Sequence, residues 1–136
     1  MTVSVLIITH EEIGSALLNA ATSTLGELPL PTTVVTVDYT TDPEQLIPRL
    51  QRVAQNVEHG QGLLILTDLY GSTPSNIAQA LNNNRRIRVI SGLNLPMLIR
   101  IMNYSTLDVH ALADKALSGG RDGVRACEMQ HYDEIA

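Results

Sequence analysis

The chain has 136 residues, enough for one domain with a sizeable core, and 44% of them are apolar. It holds no Trp and no Phe, so the core must be aliphatic; a net charge of −5 with few, scattered arginines argues against nucleic acid as a partner. The single cysteine, Cys127, excludes an intrachain disulfide and fits a reducing compartment. No basic, long apolar N-terminal segment reads as a signal peptide or a membrane span.

Val3-Ser4-Val5-Leu6-Ile7-Ile8-Thr9 reads as a first strand, apolar throughout and buried on both faces, and it ends on His10. Ile13, Ala16, Leu17, Ala20, Ala21 and Leu25 then recur with helical spacing as far as Gly26. Thr33 to Asp38 is a second strand. Asp42-Pro43-Glu44 is an N-cap followed by proline at the first helical position, and the second helix runs to about His59, where a cation suits the helix end. Leu63 to Thr67 is a third strand, ending in Asp68-Leu69-Tyr70-Gly71-Ser72-Thr73-Pro74-Ser75-Asn76. The third helix follows, capped by Thr73 or Ser75, and breaks at Asn82-Asn83-Asn84.

Arg86 to Ser91 is a fourth strand. Asn94 and Pro96 read as turn residues before a short helix from Met97 to about Asn103. Thr106 or Asp108 starts a longer helix, which Gly119 and Gly120 should end, and Gly123 to Cys127 would form a short fifth strand. The order predicts a three-layer, doubly wound α/β fold with a mainly parallel sheet. Residues 1–127 read as one domain and 128–136 as a polar tail.

In such a sheet the loops after strands one, three and four share the carboxyl edge, where ligands bind. They bring together His10, Asp68, the hydroxyls of Ser72, Thr73 and Ser75, Asn94, and backbone N–H groups. A neutral imidazole is nucleophilic, and a carboxylate on its other nitrogen fixes the tautomer. The start of the third helix, at Gly71-Ser72-Thr73, suits an anion. These parts fit phosphoryl chemistry on histidine. Taken singly, each has a plainer reading: His10 an ordinary strand-end histidine, Asp68 a charge before a helix, Gly71 a turn. Tyr70 is either a partly buried ring or part of a docking surface, and Cys127 a small buried hydrophobe. Glu11 and Glu12 read as a solvated first helical turn. No spacing of His, Cys and carboxylates suggests a metal site.

With Thr9-His10 after the first strand, the segment 66–76 after the third, and Ser91-Gly92-Leu93-Asn94-Leu95-Pro96-Met97-Leu98 after the fourth, residues 2–127 resemble a known family. It is the enzyme IIA component of the mannose family of the bacterial phosphoenolpyruvate-dependent sugar phosphotransferase system. The resemblance implies a cytoplasmic phosphocarrier without metal or organic cofactor. His10 would take a phosphoryl group from the phosphocarrier protein HPr and pass it to a IIB component, through which it would meet a membrane sugar permease. Asp68 would hold the ring, and Gly71, Ser72 and Thr73 would bind the phosphoryl group. The family is typically a homodimer that exchanges a C-terminal antiparallel strand, here 122–127.

Three departures stand out. Glu11 replaces the family's usual glycine after the histidine, Ser72 its second loop glycine, and Ser75 a commonly apolar residue. Glu11 and Ser72 motivate an alternative of another class: a regulatory docking protein of the same fold, in which phosphorylation is a switch or has been lost. A small-anion binding module is a third reading.

Overall fold

The computed structural model describes residues 1–129. Four strands alternate with helices: β1 (Ser4–His10), α1 (Ile13–Leu25), β2 (Thr32–Val37), α2 (Pro43–Val57), β3 (Leu63–Thr67), α3 (Thr73–Ala80) and β4 (Ile87–Ile90). Two consecutive helices follow, α4 (Leu95–Met102) and α5 (Val109–Asp122). The sheet order is β2-β1-β3-β4, and every pairing is parallel. The chain reverses its direction of growth between β1 and β3, so the crevice at their carboxyl ends is the topological switch point.

Period-two alternation splits the core into two layers. Val5 and Ile7 of β1, with Leu64 and Leu66 of β3, pack against α1, α4 and α5. Leu6 and Ile8, with Leu63 and Ile65, pack against α2 and α3. All eight side chains are buried, which is why both central strands read as unbroken apolar runs. His10 continues the alternation of Leu6 and Ile8 and so falls on the α3 side of the sheet.

Helix boundaries follow local chemistry. Asp42 caps α2 through the Glu44 N–H, and Asp108 caps α5 through the Ala111 N–H. Ser72 caps α3, accepting from the Ser75 N–H at 3.5 Å, where Thr73 or Ser75 was expected. Asn94 is more than a turn residue: its Oδ1 accepts the Met97 N–H at 2.9 Å and caps α4, while its Nδ2 donates to the Gly120 carbonyl at 3.1 Å.

Three expectations are corrected. Helix α5 runs through Gly119 and Gly120 to Asp122. A Cβ on Gly119 would stand 2.6 Å from Arg100 Cβ, and one on Gly120 2.9 Å from Met97 Cε. These glycines let α4 and α5 approach; they do not stop the helix. The fifth, antiparallel strand over 123–127 is not formed in the single chain. Residues 124–129 are exposed and without regular structure, and Arg125 lies beside α4 residues Leu95 and Ile99, not along β4. The segment leaves α5 beside α4 and does not run along the open edge of β4, so among the described residues it meets no strand to pair with. Cys127, on that segment, is exposed, not buried. Of the polar tail, residues 130–136 lie outside the described residues.

Candidate phosphoryl-transfer site

Parallel pairing of β1 with β3 brings together residues 58 positions apart. His10 Nδ1 lies 2.8 Å from Asp68 Oδ2, and the His10 backbone N–H donates to the same oxygen at 3.0 Å. The other carboxylate oxygen accepts the Leu69 N–H at 2.9 Å. Asp68 is nearly enclosed, with 11% of its side chain exposed, whereas the imidazole is 39% exposed. Burial pushes the Asp68 carboxyl up, but the hydrogen bonds from the His10 ring, the His10 N–H and the Leu69 N–H outweigh it and hold the group below its ordinary value.

The carbonyls of Thr67 and Asp68 accept the N–H groups of Leu93 and Gly92, each at 3.0 Å. The loop after β4 is thereby tied to the loop that carries the carboxylate. The loop between β3 and α3 turns at Gly71, whose φ of 83° is the left-handed conformation that glycine adopts without strain. The Gly71 N–H donates to the buried Ser75 hydroxyl at 3.2 Å, so the serine in place of an apolar residue satisfies the turn internally. Ser72 donates its hydroxyl to the Leu69 carbonyl at 2.6 Å while capping α3, a structural use for the residue that replaces a glycine. Thr73 occupies the first helical position and is exposed.

Glu11 is not in a helical turn. Its φ of 46° is the one left-handed non-glycine conformation among the described residues, and its N–H donates to the Val37 carbonyl at 3.0 Å. A glycine at this position would adopt that conformation without strain. Thr9 was missed by the sequence reading. It is fully buried, and its hydroxyl accepts the Gly14 N–H at 2.8 Å. A hydroxyl at a strand end, followed by glycine in the first helical turn, was the available signal. Tyr70 is 85% exposed and Tyr39, on the loop after β2, 95%; both rings stand out to solvent.

The family described as "PTS system fructose IIA component" (EIIA-man) matches residues 4–117. The chain belongs to this family. Its whole length aligns at 28% identity with the mannose-specific EIIAB component of Escherichia coli strain K12, covering 43% of that protein. It therefore spans less than half the length of the curated relatives it matches. Among solved structures it is similar to phosphotransferase system component EIIA from Streptococcus agalactiae, with a TM-score of 0.78 and 25% identity over 91% of this chain and 96% of that one. The fold is also that of the mannose/sorbose-specific IIA subunit from Enterococcus faecalis, with a TM-score of 0.84 and 23% identity over 96% and 98% of the two chains. No helix among the described residues of this EIIA-man member is long and apolar enough to cross a membrane, and no cluster of His, Cys and carboxylates there could hold a metal ion.

Proposed function

We propose that this protein carries a phosphoryl group on His10 Nε2, accepting it from phosphorylated HPr and passing it to a IIB component. The observation that carries the reading is the 2.8 Å contact between Nδ1 and Asp68. With the Nδ1 proton directed at the carboxylate, the lone pair of a neutral ring lies on Nε2. That nitrogen attacks phosphorus in line with the donor's phosphoramidate bond. The P–N bond to the donor histidine breaks, its electron pair returns to the donor ring, and no water takes part. Asp68 holds the tautomer and offsets the positive charge that the phosphorylated ring gains. Gly71, Ser72 and Thr73 are the phosphoryl-binding residues in this reading, with the Gly71 N–H and the Ser72 hydroxyl exchanging their bonds to Ser75 and the Leu69 carbonyl for the phosphoryl oxygens. Thr73 stands at the start of α3, a helix that packs on the His10 side of the sheet, where the helix dipole favours an anion.

The exposure of His10 supports a macromolecular donor. Hollows of about 520 and 480 Å³ lie between α2 and its neighbours, away from His10, and an imidazole on an open rim is reached most readily by another protein's surface. The protein acts in the cytoplasm in this reading, and residues 1–127 form the functional domain. It pairs as a homodimer in which segment 122–127 finds its strand partner on the other subunit.

Incubation with HPr, phosphoenolpyruvate and the phosphorylating enzyme should place an acid-labile, base-stable phosphate on the protein. His10→Ala should abolish it. Undiminished labelling of that variant refutes the assignment, and an unlabelled wild-type protein favours a docking role instead.

A further inference from the structure

Two threonines close the central strands, Thr9 on β1 and Thr67 on β3, and both are fully buried. They differ in what their hydroxyls do. Thr67 Oγ1 has no hydrogen-bond partner among the described residues. Thr9 Oγ1 accepts the Gly14 N–H across five positions, so one bond closes the turn that carries His10.

That turn has little else on the α1 side. Glu12 precedes α1 and makes no side-chain cap bond, so the strand itself supplies the acceptor that an N-cap residue normally provides. Gly14 makes the approach possible. A Cβ there would stand 2.9 Å from Thr9 Oγ1 and 2.7 Å from Ile7 Cγ2. The turn also contains Glu11 in the left-handed region, a conformation that persists only where its surroundings impose it. On the other side, one oxygen of Asp68 receives both the His10 N–H and Nδ1. Meeting both donors with one atom demands a fixed backbone at His10.

We propose that Thr9 is a positioning residue for phosphoryl transfer. Its hydroxyl, through the Gly14 N–H, sets the His10 turn so that the ring and backbone of His10 both reach Asp68. The inference rests on the reading of His10 as phosphoryl acceptor. Thr9 itself touches no reacting atom, and no bond to it is made or broken.

The test compares Thr9→Val, which keeps the shape and removes the acceptor, with Thr9→Ser, which keeps the acceptor. Thr67→Val is the control for losing a buried hydroxyl. Two quantities are read: phosphoryl transfer over a range of phospho-HPr concentrations, and the ¹⁵N spectrum of the His10 ring. Thr9→Val should lower kcat about tenfold at unchanged KM, the signature of a misplaced acceptor, and broaden or shift the Nδ1–H signal. Thr9→Ser and Thr67→Val should keep both near wild type.

A Thr9→Val protein with wild-type rate and ring signal overturns the proposal. So does a serine variant as slow as the valine one. If the valine variant does not fold, Thr9→Cys, with its poor sulfur acceptor, replaces it under the same criteria. A wild-type protein that takes no phosphate would defeat the reading of His10 but leave the ring-signal comparison standing, so the two failures are distinguishable.

Discussion

Glu11 is the strained residue of the rim. A left-handed conformation costs an L-residue about 1–2 kcal/mol, and glycine gives back about 0.5–1 kcal/mol through its freer unfolded state. With a φ of 46° at position 11, Glu11→Gly should stabilise the protein by about 0.5 kcal/mol, read as a higher urea midpoint at unchanged slope. Labelling by phospho-HPr should separate two effects of that carboxylate: at saturating donor the variant should be faster, since a charge leaves the approach of the phosphoryl group, while its KM at low salt should rise with the lost rim charge. Asp68 makes the opposite kind of statement. Burial raises its carboxyl and the bonds from His10 and Leu69 lower it further, leaving it depressed. A depressed acid stabilises the fold above its unfolded value of about 3.9, and that contribution disappears as pH falls through the lower folded value. Asp68→Asn should therefore unfold more easily than wild type at pH 7, with the difference shrinking in acid below about pH 4. Its phosphoryl transfer should be slower at pH 7. Equal stabilities at both pH values would remove the carboxylate's structural role.

At the scale of elements, adjacent glycines in α5 separate two effects that a sequence merges. Replacing a mid-helix glycine by alanine gains about 1 kcal/mol of propensity. At Gly119 the new Cβ would meet Arg100 Cβ at 2.6 Å, an atom fixed to the α4 backbone. Such overpacking costs typically 1–3 kcal/mol, so Gly119→Ala should destabilise. At Gly120 the neighbour is Met97 Cε at 2.9 Å, the free end of a flexible side chain, and Gly120→Ala should be near neutral. Equal thermal midpoints for the two variants would contradict the packing argument. The same pair explains what was legible. Glycines near a helix end signal a stop and a close approach alike, and only the position of α4 decides between them. The strands were legible because Leu63 to Leu66 and Val5 to Ile8 are apolar on both faces, as a central parallel strand requires. The meeting of His10 with Asp68 followed from strand ends in register. Thr9, Ser72 and Ser75 were misread or missed because a hydroxyl's partner is chosen by three-dimensional distance, and several candidates lie within a few residues.

Across the whole molecule, the loops of the carboxyl edge stand out as acidic. The four loops at the carboxyl edge, 11–12, 38–42, 68–72 and 91–94, contain no Lys or Arg, while Glu11, Glu12, Asp38, Asp42 and Asp68 all lie there. The hydroxyl and N–H of Thr40, and then the Thr41 hydroxyl, hold Asp38 below the ordinary carboxylate range, so the β2–α2 loop keeps its negative charge at neutral pH. The nine Lys and Arg residues sit in α2, α4, α5, β4, the α3–β4 connection and the segment after α5. Within those four loops, backbone and hydroxyl dipoles are what a phosphoryl group on His10, as proposed above, would meet, and a basic donor face would add a balancing cation. A basic face on the donor is drawn to an acidic rim over roughly a Debye length, about 10 Å at 0.1 M salt, and exposed charges of this kind govern encounter more than chemistry. Raising salt from about 0.05 to 0.5 M should therefore raise KM for phospho-HPr several-fold and leave kcat nearly unchanged. Glu12→Gln, with one rim charge fewer, should flatten that dependence. A KM indifferent to salt would mean that Tyr39, Leu69 and Tyr70, whose exposed side chains stand on the same edge, dominate the encounter by apolar contact and the acidic rim does not steer it.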